Sequence, residues 1–367
     1  MFRIKITLII ILITPFSGYS NQVKITSCGD IIPHKDLQQY CLSNGGFYLL
    51  FNRISNILRK SDICVANFET SINTKRGISG YPRFNASPLL LKAMKKAGIN
   101  IISLANNHSL DMGKTGLIQT REAAAKYGFI HSGIAKNKGK KYEPVYFVKK
   151  NIKFSFLSLT TITNGLKNPG AYNSPKVNIF RWRNRKQILH QIRKMRRSSD
   201  FVIISIHFGR EYIDRPTRTQ KIIARMLIRT GADLILGNHS HHIQKPEFIN
   251  TNRGTRALIS YSQGNFISHQ NRFINYRNRY SRIAKRGDSF LLNVYVKKMG
   301  NKAVIKRVTF TPTWTLSFKI ANSFGFKAVA IYRELKNPYI KNQRLLLYFR
   351  RRRIIKFMKG FILEENI

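Results

Sequence analysis

GADLILGNHSHHIQ, residues 231–244, sets an apolar run, Leu234-Ile235-Leu236, directly against a polar cluster holding His239, His241 and His242. The chain has only nine histidines, so three of them at the mouth of one buried strand call for a chemical reason. A short apolar run that is continuous rather than alternating is the signature of a strand covered on both faces. The same unit recurs at Val23–Ser27, Ile63–Ala66, Ile99–Leu104, Phe154–Leu159, Phe201–Ile206 and Ala257–Tyr261. Helices are predicted between the runs at Phe47–Arg59, Pro88–Ala97, Thr115–Tyr127, Arg185–Arg197 and Gln220–Thr230. This alternation predicts an α/β layered fold. Farther on, Phe290–Val296 and Ala303–Thr311, joined through Met299-Gly300-Asn301, predict a hairpin that closes a sheet.

Ligands of α/β sheets gather at the carboxyl ends of strands, and there the chain concentrates its rare chemistry. Gly29-Asp30, Asn67-Phe68-Glu69, Asn106-Asn107-His108, His207 through Glu211-Tyr212, Asn238 through His242 and Gln263 through Asn265 all follow apolar runs. Imidazole and carboxylate together suit Zn, Mn or Fe, and a carboxylate shared by two ions holds them close enough to bind both the attacking and the leaving oxygen of a phosphoryl transfer. His239 and His241, one residue apart on irregular backbone, can serve two neighbouring ions. For Asn106 and Asp111 the competing role is helix capping, which strand-end polar residues commonly fill.

Taken in order, Gly29-Asp30, Ala66-Asn-Phe-Glu69, Leu104-Ala-Asn-Asn-His108 with Asp111, His207-Phe-Gly-Arg-Glu-Tyr212, Gly237-Asn-His-Ser-His241 with Gln244, and Tyr261-Ser-Gln-Gly-Asn-Phe266 resemble the CapA family of poly-γ-glutamate capsule synthesis proteins, relatives of the calcineurin-like metallophosphoesterases. The resemblance spans roughly residues 23–270. It implies a four-layer α/β/β/α sandwich with a two-metal site for divalent Mn, Zn or Fe. By the same resemblance, Asp30 and His241 hold the first metal, Glu69 bridges, and Asn107, His207 and His239 hold the second. His108 matches the histidine that protonates the leaving oxygen or steadies phosphate charge. Arg83 is implied as an anion contact, and Glu211, Tyr212, Asn106 and Asn265 as substrate-binding or supporting residues. One departure stands out: the position two residues after the first Asp, a histidine in the phosphoesterases, is Ile32, which makes the first metal position poorer in ligands.

Lys plus Arg number 65 against 16 Asp plus Glu, a net charge of +49. Such an excess fits an anionic partner such as nucleic acid, an anionic membrane surface or an acidic polymer, for which the resemblance implies poly-γ-glutamate, or else a general Lys/Arg bias of composition. Residues 1–20 carry Arg3 and Lys5, an apolar stretch from Ile6 to Phe16 and small residues at Gly18 and Ser20, the pattern of an export signal. That pattern predicts a periplasmic or cell-envelope protein, with an uncleaved anchor as the competing outcome, and it disfavours nucleic acid as the partner. Residues 21–317 are expected to form the CapA-like domain, and residues 318–367, basic and aromatic, a tail that lies on an anionic surface or stays solvated. Capsule synthesis also implies a membrane complex as partner. Cys28, Cys41 and Cys64 allow at most one intramolecular disulfide.

The resemblance leaves two functions open. One is a metal-dependent hydrolase or transferase acting on a phosphate ester or anionic polymer. The other is a non-catalytic, polyanion-binding component of a capsule export complex.

Overall fold

The computed structural model describes residues 22–300, 302–320 and 323–365. The segment read as an export signal lies outside the described residues. In chain order the strands that matter are β1 (Gln22–Ile31), β2 (Ile63–Phe68), β3 (Ile101–Ser103), β4 (Ile130–Ser132), β5 (Val145–Lys149), β6 (Ile152–Thr160), β7 (Phe201–His207), β8 (Leu234–Asn238), β9 (Glu247–Asn250), β10 (Arg256–Ser260), β11 (Asn265–Ile267), β12 (Asp288–Met299), β13 (Lys302–Ile320), β14 (Ser323–Ala330) and β15 (Ile362–Leu363). The helices are α1 (Lys35–Ser43), α2 (Leu89–Ala97), α3 (Gly113–Lys126), α4 (Arg185–Ser198), α5 (Arg218–Thr230), α6 (Ile331–Lys336) and α7 (Arg344–Phe357).

Two sheets carry the fold. One runs β14-β13-β12-β1-β2-β3-β4, with β11 added against β1 and β15 against β13; the other runs β9-β10-β8-β7-β6-β5. Both are mixed: β1 to β4 are parallel, as are β6, β7, β8 and β10, while β12 lies antiparallel to β1 and β9 antiparallel to β10. The continuous apolar runs are explained by what lies on each face. In β7, Phe201 and Ile203 enter the large core that includes Val65 and Ile102 of the first sheet, while Val202, Ile204 and Ile206 pack with Ile188 and Ile192 of α4 and Leu227 of α5. Period-two alternation is therefore present, but both sets of side chains are buried. Helices on one sheet, two sheets face to face and helices on the other give the four layers.

The expected helix at Phe47–Arg59 is broken into two short turns, Phe47–Leu50 and Ser55–Leu58. The three cysteines are buried free thiols.

The expectation for residues 318–367 is corrected. Position 317 falls inside β13, and β14 pairs with β13 from Thr313↔Ala330 to Ile320↔Ser323. Leu346, Leu347 and Ile354 of α7 are buried in the large core, and β15 adds to β13. The basic run hides an internal function: Arg350, 1% exposed, donates through Nε to Asp288 Oδ1 at 2.6 Å, and Arg353 also pairs with that fully buried carboxylate. A buried guanidinium requires such a partner, because losing either member strands a charge away from water.

Ending the chain at residue 317 is expected to yield insoluble or unfolded protein, and Ile354→Ala to cost about 2–5 kcal/mol in chemical denaturation. A detached tail would tolerate both changes with no shift in the unfolding midpoint.

Candidate metal centre

The parallel strands of the two sheets bring their carboxyl ends to one place, and local sequence aims the side chains. Pairing between β1 and β2 shifts register between Ser27 and Asp30, and such an irregularity re-aims the residue that follows it. Gly29 makes the bend possible, since a Cβ there would sit 1.9 Å from the Gly264 carbonyl oxygen. Asp30 donates its backbone N–H to that same oxygen at 3.0 Å. Gly237, just before the histidine cluster, is likewise pressed against the Tyr261 carbonyl, 2.2 Å from where a Cβ would be.

Asp30 and Glu69 are fully buried and share one neighbour. The Asn67 amide nitrogen donates to Asp30 Oδ1 at 2.8 Å and to Glu69 Oε2 at 3.4 Å, and lies 3.3 Å from His207 Nδ1. His241 Nδ1 is 3.3 Å from Asp30 Oδ2, and its Nε2 is 3.8 Å from Glu69 Oε1, the same distance that separates Glu69 Oε1 from His207 Nε2. The His207 and His239 rings are 4.7 Å apart, and those of His239 and His241 6.0 Å. Asp30, Glu69 and His241 thus form one group with ligand atoms within 4.8 Å of one another, and Glu211, His239 and His241 form a second.

Among the described residues, the buried side-chain atoms without a hydrogen-bond partner include Glu69 Oε1, Asn107 Oδ1, His207 Nε2, His239 Nδ1 and Asn67 Oδ1. A native interior leaves few such atoms orphaned. That four of them belong to the bridging and second-metal positions implied by the resemblance is the pattern expected of donors that face a cation. The electrostatics agree. Burial, reinforced by Asp30, holds the Glu69 carboxyl well above its usual range. Burial and the neighbouring His239 keep His207 far below its usual value, while burial and His241 bring His239 down to about 3. Two neutral imidazoles beside two crowded carboxylates form a donor set that fits divalent Zn, Mn or Fe.

His108 lies on the loop after β3, its Nδ1 2.7 Å from Asp111 Oδ2 and its ring edge-on to Phe84 at 4.5 Å. Asp111 also accepts the Phe84 N–H at 2.7 Å, so it orients the His108 ring rather than capping a helix. Asn106 shapes the loop: its Oδ1 accepts the His108 N–H at 3.1 Å and its Nδ2 donates to the Phe68 carbonyl at 2.7 Å. Asn265 Oδ1 lies 3.0 Å from His241 Nδ1, an arrangement that fixes the tautomer and leaves Nε2 toward Glu69. Tyr212, at φ 60°, places its ring 5.7 Å from His241, and Arg286 packs over its face at 3.9 Å. Arg83 does not join the cluster. It is exposed and is held by its carbonyl, which accepts from Ser79 Oγ at 2.7 Å; the residue of that loop that reaches the site is Phe84.

Two residues gain roles that the sequence reading did not give them. Asn67 touches both carboxylates, and Glu211 joins His239 and His241 as a possible ligand instead of a supporting residue. Asn67 was findable, because residues two apart on a strand share a face with Glu69.

The family model described as bacterial capsule synthesis protein PGA_cap matches residues 24–270. The chain belongs to this capsule synthesis family. It is 26% identical over 262 residues to the capsule biosynthesis protein CapA of Bacillus anthracis, covering 68% of this chain and 61% of that one. It is 25% identical over 292 residues to the PGA biosynthesis protein CapA of Bacillus subtilis strain 168, covering 77% and 70%. Among solved structures, the calcineurin-like phosphoesterase YfkN from Bacillus subtilis aligns with a TM-score of 0.44 and 12% identity over 90% of this chain and 99% of that one. The CapA resemblance read from the strand-end motifs is thus borne out. The chain spans less than two thirds of the anthracis relative's length.

Metal-free protein of this capsule family is expected to lose stability in mild acid. His207 and His239 have folded-state values below the ordinary 6.5, so their contribution is complete above pH 6.5 and is lost as pH falls, because the unfolded chain takes up protons that the folded site refuses. Glu69, raised above 4.5, acts with the opposite sign, but His34, His131 and His242 are also held below 6.5, so the net change from pH 7 to pH 5.5 is a loss of stability. Denaturant titrations at pH 7 and pH 5.5 measure it; equal or greater stability at pH 5.5 would contradict this site electrostatics.

Proposed function

We propose that the chain is an exported, metal-dependent hydrolase or transferase that acts on an anionic envelope polymer or a phosphate ester in capsule synthesis. The observation that carries this reading is the set of buried, partnerless donor atoms on Glu69, Asn107, His207 and His239. Asp30, Glu69 and His241 would hold one ion, and Glu69, Asn107, His207 and His239 the other. Bound divalent ions there supply Lewis acidity toward a phosphoryl or carbonyl oxygen and activate water. The chain's own residues do the rest. Asp111 fixes the His108 ring through Nδ1, which leaves Nε2 to hold or deliver a proton at the leaving oxygen. Asn67 and Asn265 orient the ligands, and Phe84 shields one side of His108 from water.

A cleft of about 550 Å³ supports an anionic substrate. It borders the loop that carries His207 and Glu211, and Arg181, Arg210 and Arg218 line it together with Phe180 and Trp182, with no acidic residue in its wall. Guanidinium groups pair with carboxylates, and the aromatic walls cover methylene groups of a chain such as poly-γ-glutamate. The same cleft and the charge of +49 favour the second reading, a non-catalytic polyanion-binding component of a membrane-associated capsule complex.

Steady-state kinetics separate the two. With Mn or Zn and an aryl phosphate, turnover abolished by chelator and reduced about 10²–10⁴-fold in His108→Ala with metal content unchanged supports the enzyme. A protein that binds metal yet turns over neither an aryl phosphate nor polyglutamate leaves the binding role. For a polyglutamate substrate, Arg210→Ala with Arg218→Ala is expected to raise KM with kcat little changed.

A further inference from the structure

Two chain segments far from each other in sequence, residues 269–287 and 337–363, carry fourteen Lys and Arg between them and no Asp or Glu. The structure places them side by side. Ser317 links the two segments at one end, its Oγ donating to the Arg272 carbonyl at 3.4 Å and its carbonyl accepting from Gln343 Nε2 at 2.5 Å. At the other end the Tyr280 ring meets Phe349 at 4.8 Å, and Arg350 donates to the Arg279 carbonyl at 2.9 Å. The 272–280 loop therefore runs along α7. Large apolar side chains stand out from it: Tyr280 is 72% exposed, Phe273 63%, Leu345 63% and Tyr348 50%. Exposed cations, Arg277, Arg282, Arg344 and Arg352, lie among them.

We propose that this face of α7 and the 272–283 loop is a docking surface for an anionic lipid bilayer. Cations alone would serve any polyanion. Exposed rings and an aliphatic side chain set among cations fit a headgroup region, where aromatic side chains settle with one side apolar and the other wet and each nearby cation adds to the attraction. Among the described residues no helix is long and apolar enough to cross a membrane. The inner side of α7 is already committed to Asp288, and Arg353 lies 3.9 Å from Asp214, whose other oxygen bonds His242 Nδ1 at 2.8 Å. The docking face and the loop of the metal centre are thus tied together.

The three native thiols are buried, so a cysteine introduced at Leu345 in the full chain can be labelled alone with a polarity-sensitive dye. The expected result is a blue shift on adding vesicles with 30% phosphatidylglycerol, absent with neutral phosphatidylcholine vesicles and reversed by salt. The same dye at Gln187→Cys, on α4 against the other sheet, should not shift. Arg344→Glu with Arg352→Glu should weaken vesicle binding at least 25-fold, about fivefold for each cation removed. The proposal is overturned if the chain sediments with vesicles while the Leu345 dye stays unshifted, if both positions shift alike, or if soluble polyglutamate shifts the Leu345 dye as strongly as the anionic vesicles do.

Discussion

Asp30 and Glu69 are both wholly buried, held side by side by one Asn67 amide and faced by the imidazoles of His207 and His241. Two carboxylates cannot both remain ionised so close together in a poorly polarisable interior without a compensating positive charge. The chain has 65 basic residues, yet among the described residues the ion pairs to Asp30 and Glu69 are all with histidine and none involves Lys or Arg. In a protein this cationic, exclusion of guanidinium and ammonium groups from the one crowded acidic cavity is a feature of the fold. His207 and His239, both held below their usual range, and the Asn67 amide are the neighbours found there instead, a donor set that fits a divalent cation. The twist and packing of the two sheets, the bend at Gly29 and the close approach at Gly237 all serve to hold that arrangement.

The loop quoted at the outset shows how the arrangement is kept. His239 has φ 101° and His241 φ 54°, both in a region that costs a non-glycine residue about 1–3 kcal/mol. The residues between and after them offset that cost by anchoring the far side of the loop. Ser240 Oγ reaches the Ile213 carbonyl at 3.2 Å and its carbonyl accepts the Tyr212 N–H at 2.7 Å, while Gln244 Nε2 donates to Ile213 and Arg215 carbonyls at 2.9 and 3.2 Å. The alternation is therefore functional: 239 and 241 face the centre, 240 faces the neighbouring loop. His242 then bonds Asp214, which ties the loop to α7 through Arg353.

What the sequence disclosed follows from which signals are local. Apolar runs ending in polar clusters are read within a handful of residues, so the strands and most strand-end donors were legible. Asn67 was partly legible from its spacing to Glu69. Glu211 was legible as a supporting residue but not as a donor, because only the folded loop brings this exposed acid near His239 and His241. Arg83 looked like an anion contact from its loop, but its side chain points away while Phe84 turns inward. The basic carboxyl-terminal run misled for a similar reason. Arg350 finds Asp288 62 residues away, and nothing in a string of four arginines distinguishes the buried Arg350 and half-buried Arg353 from the exposed Arg352.

Ile32 is buried at the position where the resemblance would put a further histidine, which leaves Asp30, Glu69 and His241 as that group's three donors. Donors on the His207 side are enclosed: Asn107, His207, His239 and Glu69 are each at most 5% exposed. On the other side the remaining available acid is Glu211, exposed on the same loop as Arg210. Arg210, which lines the acid-free cleft, directly precedes Glu211 in the chain, so one loop after β7 carries both a wall of that cleft and the acid that lies near His239 and His241.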